Sequence, residues 1–584
     1  MSRVSPRRRA HRVAAACLTL VGALLLSACA AIPESGAPKR LRPGQSIGQA
    51  SEAALPETGL TPLGLVRSFV KASADSEQKH ATARLYLTDL ARRSWDDRSL
   101  QRVIADDFDT IPRSVPGPNG DPLPDEQIVT IRGTQFGRLD FDGSFVPETK
   151  SIETELRVRK QADGEWRIAE PPQGVVVTIS NFKDNYKQVR LYFSDPNHRT
   201  VVPDLRYVPI RPAPAVPGKV MEMLLLGPSA AIRGSVTSVI PEKAELTTNV
   251  SEGIDGSLVV NLGNLGDKTT QDRRLIAAQV VLSLQGVTNS RVKLLSDNQP
   301  LLPDKLDWRP VDVSTFEAHL GPSPELAGMY VAGGRLRSLK DESVVASAAE
   351  LQVITAAQSK EGSQLAVVAR QGSGVQLRVG PTNGPLREVP VRQSASLTRP
   401  SWMPDAPEMW TVLDQATVVR VVDTTGRGTW TSTQVNAEEL TRIGPITDLR
   451  LSRDGLRVAA IVAGRVVVGT VAEQAGERSV RAVQVLGYNR LNNPMSVEWP
   501  QPDAVIVATA SSTSPVIKVG VDGLTLDPYL SSNLTTPVHA VAAAPGRPVV
   551  VSDNGGLWKV NETTEVWQPM PFNPGPNSLP FYPG

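Results

Sequence analysis

The residues best placed to do chemistry are Leu26-Ser27-Ala28-Cys29, which match the bacterial lipobox at all four positions. They close an apolar run of 16 residues, Val13 to Ala28, that follows a basic head of Arg3, Arg7, Arg8, Arg9 and Arg12. A helix needs ~20 apolar residues to cross a bilayer, so residues 1–28 read as a removable secretory segment. Ser27 and Ala28 are small enough to admit a peptidase, which leaves the Cys29 thiol as the only nucleophile placed to receive a diacylglyceryl group. Cleavage also frees an amine for acylation, making Cys29 an N-palmitoyl, S-diacylglycerol cysteine. Each buried CH₂ contributes about 0.8 kcal/mol, so two or three chains hold far more firmly than one. The competing reading is an ordinary signal peptide with a cysteine at its cleavage site.

Other chemical patterns lack their context. Gly44-Gln45-Ser46-Ile47-Gly48 has the nucleophile-elbow spacing but no strand before it, and Ser68-Phe69-Val70-Lys71 has a Ser-x-x-Lys spacing with no Lys-Thr-Gly downstream. His80, His198, His319 and His539 are scattered, with no His-x-x-x-His pair. Cys17 leaves with the secretory segment and Cys29 is alkylated, so neither a disulfide nor a cysteine-ligated zinc is available. Asp96-Asp97 and Asp106-Asp107 sit in polar stretches and read as solvated surface. No catalytic residue, metal or cofactor is expected. Without residues 1–28 the chain carries 57 basic against 60 acidic residues, which argues against a nucleic-acid partner.

The elements behind these residues fall into blocks. Residues 29–60 hold Pro33, Gly36, Pro38, Pro43 and Gly44 and few large apolar side chains, so they form a tether with a mean span of about 30 Å. Thr61-Pro62 opens a helix carrying Leu63, Val66, Phe69 and Val70 on one face, and a second helical stretch covers Ala81 to Leu90. After Pro112 a strand pattern takes over at Ile128 and Ile131, then Ile152, Thr154, Leu156 and Val158, with a hairpin at Asp163-Gly164 leading into Trp166 and Ile168. Helices followed by an antiparallel sheet over 61–180 make an α+β domain that resembles the cystatin-like or NTF2-like class.

The next block, 186–300, opens with the strand Val189 to Phe193, stopped by Ser194-Asp195-Pro196-Asn197. A short helix with Val220, Met223 and Leu224 on one face ends at Gly227-Pro228. Leu258, Val260 and Leu262 alternate as a strand, Leu275, Ile276, Val280 and Leu284 follow the helical period, and Val292 to Leu295 closes as a strand. The ordered set Leu191-Tyr192-Phe193, Leu224-Leu225-Leu226-Gly227-Pro228 and Val239-Ile240-Pro241 resembles the GerMN domain, a non-catalytic α+β module. From about 315 to 584 polar turns at 359–362, 402–405, 452–455, 499–502 and 544–546 start 43, 50, 47 and 45 residues apart, each followed by an apolar strand. That period predicts an all-β propeller of five to seven blades, with a pair of β-sandwiches as the alternative.

Lipobox, tether, α+β domain, GerMN-like domain and propeller, in this order, resemble the actinobacterial LpqB lipoprotein family. The resemblance implies a protein anchored on the extracytoplasmic face of the cytoplasmic membrane that contacts the external domain of an MtrB-like sensor histidine kinase. It further implies effects on two-component signalling, cell division and envelope homeostasis. Two other functions stay open from the residues alone: a lipoprotein that senses cell-wall fragments, and a propeller hydrolase with three titratable residues converging at one mouth.

Overall fold

Thr61 accepts a hydrogen bond from the Gly64 backbone N–H, and Pro62 supplies a preset φ, so the first helix runs Pro62–Ala72 and buries Leu65, Val66, Phe69 and Val70. The structure, a computed structural model, describes residues 55–98, 100–317, 321–404, 406–487, 490–561 and 566–584. Cys29, the expected tether up to residue 54, the Gly44–Gly48 pattern and His319 lie outside the described residues.

The helix expected over Ala81 to Leu90 is two short helices, Ala81–Arg84 and Asp89–Ser94. Between them Tyr86 and Thr88 exchange backbone hydrogen bonds with Ile168, at 2.9 Å each, so pairing with a sheet edge replaces continued helix. Thr88 then caps the second helix by accepting from the Ala91 N–H. The sheet behind them runs in the order Trp166–Glu170, Phe145–Lys160, Pro122–Leu139, Gln101–Ile104 and Val175–Thr178, with Asp109–Pro116 also paired to the third of these. All of its pairs are antiparallel except the last. Gly164 takes φ +86° at the hairpin tip, where a side chain would be strained. Val129, Ile131, Leu156, Val158 and Ile168 face the helices in one core.

The GerMN-like part contains a two-stranded ribbon, Tyr186–Ser194 with Val201–Pro209. The helix Val216–Leu225 buries Val220, Met223 and Leu224, and Thr270–Gln285 is fixed by a capping box between Thr269 and Asp272. Every residue from Leu275 to Leu284 on that second helix is buried, because it lies beneath both the ribbon and a sheet that pairs Leu258–Gly263 parallel with Val292–Ser296.

The remaining described strands form six sheets, five of four strands and one of three. The five polar turns expected from the sequence each join the first two strands of a four-stranded sheet; Ser452-Arg453-Asp454-Gly455, for example, links Ile446–Leu451 to Arg457–Val462. The innermost strand of each sheet packs on that of the next, and Ala540–Ala542 packs on Leu579–Phe581 of the three-stranded sheet. That last strand pairs antiparallel with Met329–Ala332, bringing the two ends of the region into one sheet and closing the ring. Closure removes free inner edges, the physical reason a propeller rather than two sandwiches accounts for the repeat. Trp402 and Trp499 stitch neighbours together, their indole N–H groups donating to the Ala357 and Arg450 carbonyls of the preceding sheets at 3.2 and 3.1 Å.

Candidate functional site

The modules are joined where the apolar strand Val201–Pro209 carries buried polar residues. Arg206 is fully buried. Its guanidinium donates to Asp204 at 2.6 and 3.2 Å, to the Asp142 carbonyl at 2.6 Å and to the Gly227 carbonyl at 3.0 Å. Asp204 also accepts from the Ser229 N–H and hydroxyl, both at 2.9 Å. One side chain thus ties the N-terminal domain's turn at 140–143 to two segments of the GerMN-like part. Gly143 is required there: at φ +78° a Cβ would meet Met223 Sδ at 2.4 Å and the Tyr207 carbonyl at 3.0 Å.

The next residue reaches the propeller. Tyr207 donates its hydroxyl to Asp522 at 2.7 Å, and Gln188 donates to that hydroxyl at 2.8 Å. Burial pushes both acids up, and the neighbouring Asp522 carboxylate also raises the phenol. Arg190 pairs with Asp503 at 2.5 Å, and Arg457 donates to the Pro203 carbonyl at 2.7 Å. Leu524 of the propeller sits in the N-terminal domain's core and partly buried Leu456 packs on the GerMN-like core. Residues 53–584 therefore make one compact unit.

A second buried network lines the inner strands of the propeller. Arg399 pairs with Glu498, and Arg450 pairs with Asp448 at 2.7 Å and approaches Glu498 at 3.9 Å. Arg453 donates to the Pro583 and Ala543 carbonyls. Burial alone pushes the Glu498 carboxyl up, but the three arginines outweigh it and hold it below the usual carboxylate range. Burial, with repulsion from Arg399, pushes Arg450 and Arg453 down to about 10. These titratable groups converge, yet the two carboxylates are held in ion pairs and the arginines are spent on them and on carbonyls, an arrangement suited to locking neighbouring sheets together.

Beside that network a cleft of ≈ 540 Å³ separates the GerMN-like hairpin at 195–202 from the propeller turns. Asp195 is saturated by the N–H groups of Asn197, Arg199 and Thr200, and Arg478 bridges Glu408 and Glu473, while Lys360 and Arg453 also face the space.

The sequence candidates do not assemble. Ser68 and Lys71 lie on the first helix with Lys71 exposed. His80 is buried edge-on against Trp95, His198 lies 3.4 Å from the Thr237 hydroxyl, and His539 lies 2.9 Å from Asn554. Among the described residues no three His, Cys, Asp or Glu side chains gather as metal ligands. The solvated-surface reading of the aspartate pairs needs correction at one position, Asp97, while Asp106 stays exposed. Asp97 is held by Arg84 at 2.9 Å with its side chain 8% exposed, and Asp106 accepts from the Ser180 N–H and hydroxyl at 3.1 and 2.7 Å. Sequence reasoning passed over Asp204, Arg206, Tyr207, Asp522 and Glu498; the available clue was single charges inside apolar strands, as in Val497-Glu498-Trp499.

Comparison with known proteins agrees with this architecture. Residues 55–183 match the model described as "Lipoprotein LpqB, N-terminal domain", 190–302 the model "Sporulation and spore germination", and 334–583 the "Lipoprotein LpqB beta-propeller domain". The chain is 32% identical to Lipoprotein LpqB of Nocardia farcinica, covering 96% of each chain, and 30% identical to that of Rhodococcus jostii, covering 99% of each. It is 29% identical to Lipoprotein LpqB of Mycobacterium tuberculosis over 97% of this chain and 98% of that one. With all three modules in the same order across nearly its whole length, the chain belongs to the LpqB lipoprotein family.

Proposed function

We propose that this LpqB-family lipoprotein is an adaptor held on the extracytoplasmic face of the cytoplasmic membrane by acylated Cys29, with the segment between Cys29 and the compact unit as its tether; the expected tether end at residue 60 is too late, because Gly59 donates its N–H to Glu165 and Leu60 packs on the N-terminal core. It binds the external domain of an MtrB-like sensor histidine kinase and modulates two-component signalling, and through it cell division and envelope homeostasis. The observation that carries the adaptor reading is the joining of three modules through the 201–209 strand, so that a contact made on one module is transmitted to the others without a hinge. Confinement to one membrane raises the effective concentration of both proteins, and a preference for one kinase state shifts that kinase's equilibrium. Crosslinking in intact cells, followed by identification of the attached proteins, tests the partner. A kinase external domain among the products supports the reading; its absence while other envelope proteins are captured removes it.

The ≈ 540 Å³ cleft favours a second reading, in which the chain binds a cell-wall fragment. Its size falls within the range of ligand pockets and it lies at a junction of domains. Calorimetric titration with muropeptides decides, with no heat of binding ending this reading.

A further inference from the structure

One end of the N-terminal domain keeps large apolar side chains in water. Leu55 is 81% exposed and Leu90 is 80% exposed, while Leu60, Leu63 and Trp166 are only partly buried against the core beside them. Hydrogen bonds gather these residues in one place. The Gly59 N–H donates to both carboxylate oxygens of Glu165 at 3.0 Å, which fastens the segment from Leu55 to Leu60 to the 161–165 hairpin next to Trp166. Two residues beyond Trp166, Ile168 hydrogen-bonds Tyr86 and Thr88, and Thr88 caps the helix that presents Leu90. Burial raises the Tyr86 phenol and the Glu57 carboxylate beside it adds to the shift, so Leu55 and Leu90 flank one contact, two residues from Glu57 and four from Tyr86.

What covers this end follows from where the chain leads. Residues 30 to 54 are all that separates Cys29 from Leu55. With the mean span expected of a coil that length, about 25–30 Å, a lipid on Cys29 keeps Leu55 close to the headgroups and gives a weak apolar contact a high effective concentration. The charges beside the leucines balance, with Lys160, Arg92, Arg93 and Arg167 set against Glu57, Asp89, Asp163 and Glu165. A contact here is therefore apolar rather than electrostatic, and salt does not weaken it. From this end the strand Phe145–Lys160 runs about 50 Å, at ~3.3 Å per residue, to the turn at 140–143, where Arg206 fastens the GerMN-like part.

We propose that this end of the N-terminal domain rests on the bilayer, with Leu90 and Leu55 in the headgroup layer, as a second and non-covalent membrane contact. It builds on the acylated Cys29 reading. The acyl chains hold the protein to the membrane, and the leucine contact decides which end faces it. Trp166, half-buried behind the leucines, suits the interfacial depth that indoles favour. The long strand then stands the 140–143 turn, and the modules fastened there, off the lipid surface.

The test places nitrobenzoxadiazole on Leu55→Cys, Leu90→Cys and Phe141→Cys, one at a time, in the lipidated full chain reconstituted in phosphatidylethanolamine–phosphatidylglycerol vesicles. Cys17 leaves with the secretory segment and an acylated Cys29 cannot react, so each introduced thiol is the only one labelled. Phe141 is the control, 85% exposed on the turn at the far end of the strand. Labels at 55 and 90 shift their emission to the blue and are quenched by doxyl-labelled lipid, at low and at high salt, while the label at 141 stays in water. Flotation with the vesicles reads the anchor separately. A chain that does not float removes the anchor and this contact with it, whereas a floating chain whose label at 90 reports water overturns the contact alone. A shift at 141 as large as that at 90 also overturns it, as does a shift at 90 without vesicles, which assigns a second copy or the chain's own 30–54 segment as the cover.

Discussion

Replacing Arg206 with Met keeps most of the side chain's volume while deleting a fully buried charge, and it tests whether the domain junction is held by this residue. The change removes donors from Asp204, from the Asp142 carbonyl and from the Gly227 carbonyl. Asp204, with its side chain 5% exposed, keeps the two Ser229 bonds but loses its counter-charge. Removing one partner of a buried pair typically costs ~3–5 kcal/mol, whereas replacing both partners with apolar groups of similar volume is often near neutral. Arg206→Met should therefore destabilise the junction by about 3–5 kcal/mol, and Asp204→Leu with Arg206→Met should recover most of that. Native-state hydrogen exchange of the 201–209 amides reads this locally, which suits a protein of several domains. A loss under about 1 kcal/mol for the single variant, or a double variant no better than the single, would refute the argument.

Asp522 is buried with its pKa raised by burial, so the native state holds its proton to higher pH than the unfolded chain does. Its contribution to stability is fullest below the ordinary aspartate range and is lost as pH rises through the raised value; Asp522→Asn should flatten this dependence in denaturation midpoints measured across that window. Phe581, 1% exposed on the strand that closes the ring, should cost roughly 3–5 kcal/mol as Phe581→Ala, seen as a lower thermal midpoint. Cys29→Ala should abolish the acyl mass increment and release the protein from washed membranes, as followed by mass spectrometry and fractionation; continued membrane retention would contradict the anchor.

The periodic parts of the fold were legible. Turns spaced 43 to 50 residues apart marked the propeller because each blade repeats one turn between its first two strands, and Thr61-Pro62 marked a helix start because capping is local. The break within 81–90 was not legible, since it is set by pairing with Ile168, a partner remote in sequence. The same reason hid the junction: Tyr207 meets Asp522 across 315 residues, and Arg399 meets Glu498 across 99. A lone charge in an apolar strand announces a partner without saying which. His80 is similar, because its environment arises from three left-handed residues and a neighbouring domain.

The central claim is tested most directly by the autophosphorylation rate of an MtrB-like kinase reconstituted in vesicles, with and without saturating lipidated full chain. A coupling of at least ~1 kcal/mol predicts a change of about fivefold or more, with the Cys29→Ala chain needing a far higher concentration to produce it. An identical rate at saturation would contradict the account.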